Sequence, residues 1–358
     1  MPVRAPPVRA PMPVRPPRVR VAADADADAD ADKKESRRTT VQTIGRLTEA
    51  APSRRTLLGV AAGTALATLL PAAGGSDRAH AATRTPTRPS GTDISRQLRA
   101  LETEYKARLG VYALDTATGA TVSYRAAERF PMCSVFKVLT AAAVLRDLDR
   151  DGEFLAKRIR YTEKIVKKSG YTPVTGKPEN IANGLTVEQL CTAAVSESDN
   201  GAANLLLREL GGPTAITRFC RSIGDKTTRL DRWEPELNSA EPWRKTDITT
   251  PGEIGKTFAR LIVGRALPSE DRKRLTGWLV ANTTDGERFR AGLPADWILA
   301  DKTGGGAQYG VANDVGVVWP PKRSPLVLSV LSTKYDPKGP TDNPLVARTA
   351  ALVADHLT

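Results

Sequence analysis

The amino-acid sequence predicts a mixed α/β (α+β) fold, with an antiparallel five-stranded sheet flanked by helices and an all-helical lobe inserted into it. Strand-like alternation of apolar residues occurs near residue 111 and again near the C-terminus, whereas helical periodicity dominates the long segment between them. Where strands are consecutive, their connections have hairpin length, which favours antiparallel pairing. One sheet built from both ends of the domain would therefore enclose a helical insertion.

The elements are predicted in a simple order along the chain. Leu98 and Leu101 recur at near-helical spacing, which predicts a helix over 94–109. A Thr-Gly turn between two alternating runs predicts a hairpin with strands at 111–114 and 121–124. The remaining predicted elements are helices over 134–148, 186–196, 201–210 and 251–263, strands over 297–302, 315–319 and 326–331, and a closing helix over 343–356.

The folded domain is predicted to span 92–358 and to consist of two lobes. Because strands lie at both ends of this region, its α/β lobe comprises 92–130 and 281–358. The helical segments between them form a helical lobe at 131–280. No repeat with a period of about 20–50 residues occurs, which argues against a solenoid.

The N-terminal region predicts export. Residues 1–52 are of low complexity, rich in Pro and Arg with an Ala-Asp alternation, and predict a disordered extension. Within 53–81, Arg54 and Arg55 precede an apolar run and a small-residue cleavage site, which is the order of a twin-arginine (Tat) signal. A retained anchor is the alternative, but the run is shorter than the ~20 residues of a spanning helix. We therefore expect export by the Tat machinery, a secreted or cell-envelope location without a permanent membrane anchor, and a polar linker at 82–91.

Histidine and cysteine are scarce, and this restricts the chemistry available. The two histidines are His80, in the export-like segment, and His356, near the C-terminus. A Ser-His-Asp or Cys-His triad and a His-rich zinc site are therefore short of residues. The three cysteines form no CxxC pair. We expect no metal and no cofactor, and proton chemistry carried by Lys, Glu, Asp or Tyr.

The formal net charge of +13 raises nucleic acid as a partner. Residues 82–358 have a net charge of +8, and much of this excess lies in KRIRYTEKIVKK at 157–168, which contains one aromatic residue, Tyr161, and no DNA- or RNA-binding motif. This composition favours a solvated basic face over a nucleic-acid site. We therefore expect no nucleic-acid partner.

Three short motifs carry chemistry. Ser134 and Lys137 open a predicted helix, and their spacing puts the hydroxyl and the amine on one helical face, where a neutral amine can take the serine proton. Ser-Asp-Asn at 198–200 adds a hydroxyl and an amide, and Lys-Thr-Gly at 302–304 adds a lysine at a strand end. Each motif alone is more typical of a helix cap or a turn.

In this order and at these separations, together with TRLDRWEPELN at 228–238, the motifs resemble the serine β-lactamase and penicillin-binding-protein superfamily. The resemblance covers 94–357 and is sharpest with class A β-lactamases of the actinobacterial type. It implies the serine β-lactamase/D,D-peptidase fold and a monomer that hydrolyses penicillins and cephalosporins through a serine acyl-enzyme. The alternatives are a penicillin-binding D,D-peptidase and a β-lactam sensor, both acylated without turnover, and the segment at 228–238 argues against them.

The resemblance implies roles for five catalytic residues. Ser134 would attack the β-lactam carbonyl. Lys137 and Glu234 are both candidate bases for acylation, and the sequence leaves this choice open. Glu234 together with Asn238 would hold and deprotonate the water that hydrolyses the acyl-enzyme. Ser198 would relay a proton to the departing ring nitrogen.

The resemblance also implies a set of substrate-binding residues. Asn200 would contact the acylamide side chain, and Lys302 with Thr303 would bind the ring carboxylate. Arg288 would reach the same carboxylate, with a surface arginine as the alternative. Tyr171 would form the aromatic wall of the cleft, with a core aromatic as the alternative. The other implied positions are the oxyanion-hole N–H groups of Ser134 and Gly305, the backbone of Gly304, and Arg232, Asp247 and Pro235, which would hold the loop at 228–238 in place.

No disulfide is predicted. Cys191 matches a disulfide cysteine of the family, but the usual partner position is occupied by Ala141. Cys133 adjoins Ser134, and the position that pairs with it in some relatives is Gly306. We therefore expect free thiols at all three cysteines, which are Cys133, Cys191 and Cys220.

Overall fold

The computed structural model describes residues 91–358, so the predicted extension and signal lie outside the described residues. Within this part of the chain, no helix is both long and apolar enough to cross a membrane. The strands are β1 Arg108–Asp115, β2 Thr121–Tyr124, β3 Phe130–Pro131, β4 Arg158–Ile159, β5 Leu185–Thr186, β6 Ile248–Thr249, β7 Ile298–Gly305, β8 Ala312–Trp319 and β9 Leu326–Thr333.

The helices lie mostly between the second and the seventh strand. They are α1 Gly91–Glu104, α2 Phe136–Ala143, α3 Glu153–Ala156, α4 Glu163–Ser169, α5 Pro178–Asn183, α6 Val187–Ser196, α7 Asn200–Glu209, α8 Thr214–Ser222, α9 Pro251–Phe258, α10 Ser269–Val280, α11 Phe289–Gly292 and α12 Asn343–Leu357. Short 3₁₀ turns occur at Cys133–Val135 and Glu236–Ser239, and π-helical turns at Val144–Leu148 and Ala259–Val263.

The main sheet has the strand order β2-β1-β9-β8-β7, and every neighbouring pair is antiparallel. This confirms the predicted five-stranded antiparallel sheet built from both ends of the domain. Every residue of β9 is buried, because apolar side chains pack against both faces of the sheet. Two further ladders, β3 with β6 and β4 with β5, are only two residues long and were not predicted.

The apolar side chains form two large clusters, and alternate residues of β9 belong to one cluster or the other. Val327 and Leu331 pack in one cluster with α2, whereas Leu326 and Leu328 pack in the other with α1 and α12. Successive strand residues point to opposite faces, so the two clusters lie on the two sides of the sheet. Every residue of α2 is buried. Side chains in the first turn of α2 therefore reach the site from within the hydrophobic core.

Two predicted helix boundaries were wrong. The predicted helix over 94–109 continues too far: α1 ends at Glu104, because Lys106 has a left-handed φ of 48° that ends the helix before β1. The predicted helix over 134–148 is regular only in α2, with a 3₁₀ turn before it and a π-helical turn after it. Apolar periodicity does not distinguish these tighter and wider turns from an α-helix.

The predicted strand end at Lys302 was also wrong. The strand β7 continues to Gly305, because Thr303 pairs with Asp314 and Gly305 with Ala312 on β8. The glycines that predict a turn here are instead part of the ladder. A Cβ on Gly304 would stand 2.9 Å from the carbonyl oxygen of Met132, so only glycine permits this close approach of the strand to the serine-bearing turn.

Candidate active site

The candidate nucleophile lies in a 3₁₀ turn immediately before α2. Cys133, the residue before Ser134, adopts a left-handed φ of 47° and is buried together with Ser134 and Val135. Within residues 91–358, the Ser134 hydroxyl makes no hydrogen bond to protein. Lys137 follows in the first turn of α2, as the spacing predicts.

The Lys137 ammonium is the centre of the buried polar site. Its Nζ lies 2.6 Å from the Ser198 carbonyl oxygen, 2.6 Å from Asn200 Oδ1 and 3.2 Å from Glu234 Oε1, and its side chain is fully buried. Burial lowers the pKa of Lys137, and the charge of Glu234 opposes part of that effect. The amine is therefore closer to its neutral form than a lysine in water, while a carboxylate remains beside it.

The Ser198 hydroxyl lies between two lysines. Lys302 Nζ is 3.1 Å and Lys137 Nζ is 3.4 Å from Ser198 Oγ. Ser198 adopts a left-handed φ of 56° in the turn between α6 and α7, which directs it towards this pair. Burial, and then the positive charge of Lys137, lowers the pKa of Lys302 to about 7. A hydroxyl in this position can pass a proton between amines and a substrate atom.

The Glu234 carboxylate is buried and held from two sides. Asn238 Nδ2 donates to Oε2 at 2.5 Å, and Lys137 forms an ion pair with Oε1 at 3.2 Å. The peptide bond between Glu234 and Pro235 is cis. Among the described residues, Glu234 Oε1 and Asn238 Oδ1 are buried acceptors without a protein hydrogen bond. Such acceptors are normally satisfied by water.

The segment at 228–238 is fixed at its base by Asp247. Asp247 Oδ2 accepts from Arg232 Nε at 2.6 Å, and its Oδ1 accepts the N–H groups of Asp231 and Arg232. Asp247 is 2% exposed and has a left-handed φ of 55°. Its own carbonyl accepts from Met132 N–H at 3.0 Å, which links this base to the chain two residues before Ser134.

Two residues for which the sequence predicts no role in the site hold it together. Asp199, the N-cap of α7, is fully buried and accepts from the N–H groups of Val174 and Thr175 as well as from Ala202. Asn204 donates to the carbonyl of Glu234 and accepts from its N–H. The position of Asp199 before a predicted helix was a sequence signal for a cap. The contact of Asn204 had no such signal.

Lys302, Thr303 and Gly305 lie on β7, and this strand borders the site at Ser198. Lys302 is fully buried, and Thr303 Oγ1 lies 2.5 Å from Thr284 Oγ1, which belongs to the loop after α10. The Arg288 Nη1 group donates to the carbonyls of Gly304 at 2.9 Å and Asn313 at 2.7 Å. The structure therefore brings Arg288 to the end of the strand that carries Lys302, rather than leaving it free on the surface.

A buried carboxyl pair lies beside Lys302. Asp301 Oδ2 accepts from Asn282 Nδ2 at 3.1 Å, and Asp314 Oδ2 accepts from the N–H of Phe289 at 3.1 Å. Burial raises the pKa of Asp314 to about 6, and burial together with the neighbouring Asp314 charge raises that of Asp301. Residual negative charge on this pair favours the charged form of Lys302.

The rim of the site is formed by the turn after α4. Tyr171 is 57% exposed, so it is not a core aromatic. Its carbonyl accepts from the Asn200 N–H at 2.9 Å, and Asn200 Nδ2 donates to the Ser169 carbonyl. Gly170 has a φ of 83°, and a Cβ there would stand 3.5 Å from Pro235. The rim therefore joins the Asn200 helix to the segment that carries Glu234.

All three cysteines are free and buried, and burial raises the pKa of each thiol. Among residues 91–358, no three His, Cys, Asp or Glu side chains are grouped to hold a metal ion. The chemistry available in the described site is that of two serines, two buried lysines and a buried carboxylate. This set is suited to acyl transfer without histidine.

Known proteins share this combination of fold and site. The family model described as "Beta-lactamase enzyme family" matches residues 93–357. The chain is 73% identical over 313 residues to a β-lactamase of Kitasatospora aureofaciens, covering 87% of this chain and 100% of that one. It is 66% identical over 310 residues to a β-lactamase of Streptomyces lavendulae, covering 87% and 99%. The solved structure of the β-lactamase from Streptomyces albus G has a TM-score of 0.73 and 60% identity, covering 74% of this chain and 98% of that chain.

The fold and the site define a serine hydrolase of the β-lactamase type. The chain belongs to the β-lactamase enzyme family and is a class A serine β-lactamase. It hydrolyses β-lactams, which confirms the resemblance drawn from the motifs and sets aside a penicillin-binding peptidase or sensor.

Proposed function

We propose that this β-lactamase forms its acyl-enzyme on Ser134, and that Glu234 with Asn238 holds and deprotonates the water that releases the product. The observation that carries the proposal is the position of the Glu234 carboxylate, which contacts Lys137 through Oε1 and Asn238 through Oε2. The two buried acceptors Glu234 Oε1 and Asn238 Oδ1 offer one water two hydrogen-bond acceptors. A base positioned in this way contributes about 10²–10⁴-fold to a rate.

Acylation begins with attack of Ser134 Oγ on the β-lactam carbonyl. The developing oxyanion is stabilised by the N–H groups of Ser134 and Gly305, each worth about 10²–10³-fold in rate. Two groups can take the serine proton: Lys137, whose pKa burial lowers, and Glu234 acting through a water. Because these two buried groups are in contact, their protonation is coupled, and we keep both as acceptors of the serine proton.

The departing ring nitrogen receives its proton through Ser198. The hydroxyl lies between Lys302 and Lys137, so either lysine can replenish the proton that it gives away. Opening of the strained ring then leaves a neutral secondary amine and an ester on Ser134. This step needs no histidine.

The substrate is held by groups along β7 and the rim. Lys302, Thr303 and Arg288 bind the ring carboxylate of penicillins and cephalosporins, and Gly304 lets the strand pass close to the serine turn. Asn200 contacts the acylamide side chain. The remaining wall is the exposed ring of Tyr171. The enzyme acts as a monomer on a small anionic substrate, without metal or cofactor.

The proposal is tested by Glu234→Gln with a chromogenic cephalosporin. Because Lys137 remains as an acceptor of the serine proton, we expect one equivalent of product, followed by turnover about 10²–10⁴-fold slower than wild type. Mass spectrometry should find the acyl adduct on the peptide that contains Ser134. Glu270→Gln, an exposed carboxylate on α10, is the matched control and should turn over normally. Undiminished turnover of Glu234→Gln would overturn the role of this residue.

We also propose that the Tat machinery exports the enzyme to the cell envelope or medium through residues 53–81. The paired Arg54 and Arg55 before an apolar run support this. Replacing both arginines by lysine should leave β-lactamase activity inside the cell. Activity that still reaches the medium at the wild-type level would contradict a Tat route.

A further inference from the structure

A cavity of about 640 Å³ lies between α4, α7 and the segment at 228–238. Of the proposed catalytic residues, only Glu234 lines it; Ser134, Ser198 and Lys302 do not. The cavity is therefore not the part of the site in which Ser134 attacks the β-lactam ring, although Glu234 belongs to both. Its volume is within the range of about 300–1,000 Å³ that small-molecule sites occupy.

The cavity carries an excess of positive charge. Lys164 and Lys168 lie one helical turn apart on α4, and Arg208 faces them from α7. Within residues 91–358 none of these three side chains forms an ion pair. Of the carboxylates that line the cavity, only Glu236 is likewise unpaired, because Asp231 is bound by Arg229 and Glu234 by Lys137. An anionic ligand would compensate this excess.

The cavity also offers apolar surface. Ile165 is half-buried on α4, and Trp233, in the segment at 228–238, is 37% exposed; both line the cavity. A flat aromatic ring is a low-entropy contact surface for another ring. Cations at the mouth and apolar side chains in the wall together favour a ligand with one anionic group on an apolar body.

We propose that this cavity binds a small carboxylate with an apolar ring system, and that Glu234 senses its occupation. The sensing by Glu234 rests on the function proposed above. The connection is Asn204, which lines the cavity and donates to Ser169 Oγ at 3.0 Å and to the carbonyl of Glu234 at 2.9 Å. A ligand that moves this wall changes the position of the deacylating carboxylate.

Binding is tested by calorimetric titration of the purified enzyme with 1-naphthoate and with the neutral 1-naphthalenemethanol. We expect the anion to bind and the neutral compound to bind at least about tenfold more weakly, since a charge-assisted contact contributes that much or more. The double variant Lys168→Gln with Arg208→Gln should lose about tenfold or more in affinity. The matched control is Lys167→Gln on the same helix, whose lysine pairs with Glu163 and does not line the cavity. Equal binding of the neutral compound, or unchanged affinity of the double variant, would overturn the site.

Sensing is tested by the rate constant of deacylation, measured after rapid mixing with and without saturating 1-naphthoate. We expect a change in the wild type that is absent from the Lys168→Gln/Arg208→Gln variant. A wild-type rate constant that naphthoate leaves unchanged, although calorimetry shows binding, would overturn the sensing. Full turnover of Glu234→Gln with intact naphthoate binding would instead reject only the role of Glu234.

Hydrolysed benzylpenicillin shares two features with unrelated aryl carboxylates: it carries carboxylate groups, one of them formed by opening of the β-lactam, and an apolar aromatic ring. A parallel titration with benzylpenicilloate therefore separates the two sources. Binding that the double variant loses would support the enzyme's own product as the ligand. Binding of naphthoate alone would support an unrelated aryl carboxylate, and binding of neither would overturn the site.

Discussion

The side-chain amide of Asn204 forms hydrogen bonds with both backbone polar groups of Glu234, its carbonyl and its N–H. Its Nδ2 donates to the Glu234 carbonyl at 2.9 Å, and its Oδ1 accepts from the Glu234 N–H at 3.1 Å. A third hydrogen bond joins Nδ2 to Ser169 Oγ. The side chain is 7% exposed, so water does not replace these contacts readily. The helix α7 thereby fixes the backbone from which the catalytic carboxylate projects.

Asn204→Ala should therefore impair deacylation more than acylation. The substitution leaves a buried N–H and a buried carbonyl unpaired, at about 1–3 kcal/mol each, which allows the Glu234 segment to shift. We expect the deacylation rate constant to fall about tenfold or more, with an acyl-enzyme visible by mass spectrometry. The control is Asn183→Ala, an exposed helix amide on α5. Equal loss of acylation and deacylation would contradict an effect that falls mainly on the deacylating role of Glu234.

Asp247→Ala should destabilise the enzyme and slow deacylation. Its carboxylate is almost fully buried and accepts three hydrogen bonds from Asp231 and Arg232. Breaking a buried pair costs about 3–5 kcal/mol, and the partial exposure of Arg232 places the cost at the lower end. Urea unfolding should report the loss in free energy of unfolding. Glu163→Ala, which removes an exposed pair with Lys167, should change it by less than about 1 kcal/mol. A stability loss without slower deacylation would show that the base of the segment does not control Glu234.

The sequence predicted the sheet and the motif residues because both depend on short-range pattern. Alternation in the 111–124 hairpin and the spacing of Ser134 and Lys137 are local properties that sequence periodicity records. The contact of Asn204 with Glu234 joins residues 30 positions apart on different elements. Nothing local distinguishes that asparagine from a solvent-exposed one, so its function was not predictable.

The charge of Lys302 should control the alkaline limb of the pH profile. Burial lowers its pKa to about 7, so the free enzyme loses this positive charge as the pH rises through 7. We expect kcat/KM for an anionic penicillin to fall above that pH, because Lys302 is proposed to bind the ring carboxylate. The kcat profile should stay level to higher pH, since the bound carboxylate stabilises the ammonium. Both profiles are measured by steady-state kinetics from about pH 5 to 10, a range that covers the pKa values of buried and exposed lysines.

Lys302→Arg is the matched variant for this pH prediction. A guanidinium keeps its charge throughout this range, so the alkaline limb of kcat/KM should disappear even if the rate itself is lower. A limb that stays near pH 7 in the arginine variant would assign the titration to another group. The pKa of Lys302 could not be read from the sequence, because it depends on burial and on the distance to Lys137.

Arg288→Ala should raise KM for penicillins more than it lowers kcat. The Arg288 guanidinium is held at the end of β7 by the carbonyls of Gly304 and Asn313 and by Asn343 Oδ1. A charge-assisted contact with the substrate carboxylate is worth about tenfold or more in binding. Arg288→Lys keeps the charge but not the fork of donors, and we expect an intermediate KM.

Because Arg288 also holds the backbone, a purely structural role must be separated from carboxylate binding. Asn343→Ala is the control, since it removes one partner of the guanidinium and leaves the charge in place. If Arg288 binds substrate, Asn343→Ala should change KM far less than Arg288→Ala. If both variants raise KM equally, the effect comes from the end of β7 and not from the arginine charge. An unchanged KM in Arg288→Ala would remove Arg288 from the substrate site, leaving Lys302 and Thr303 as the carboxylate-binding groups.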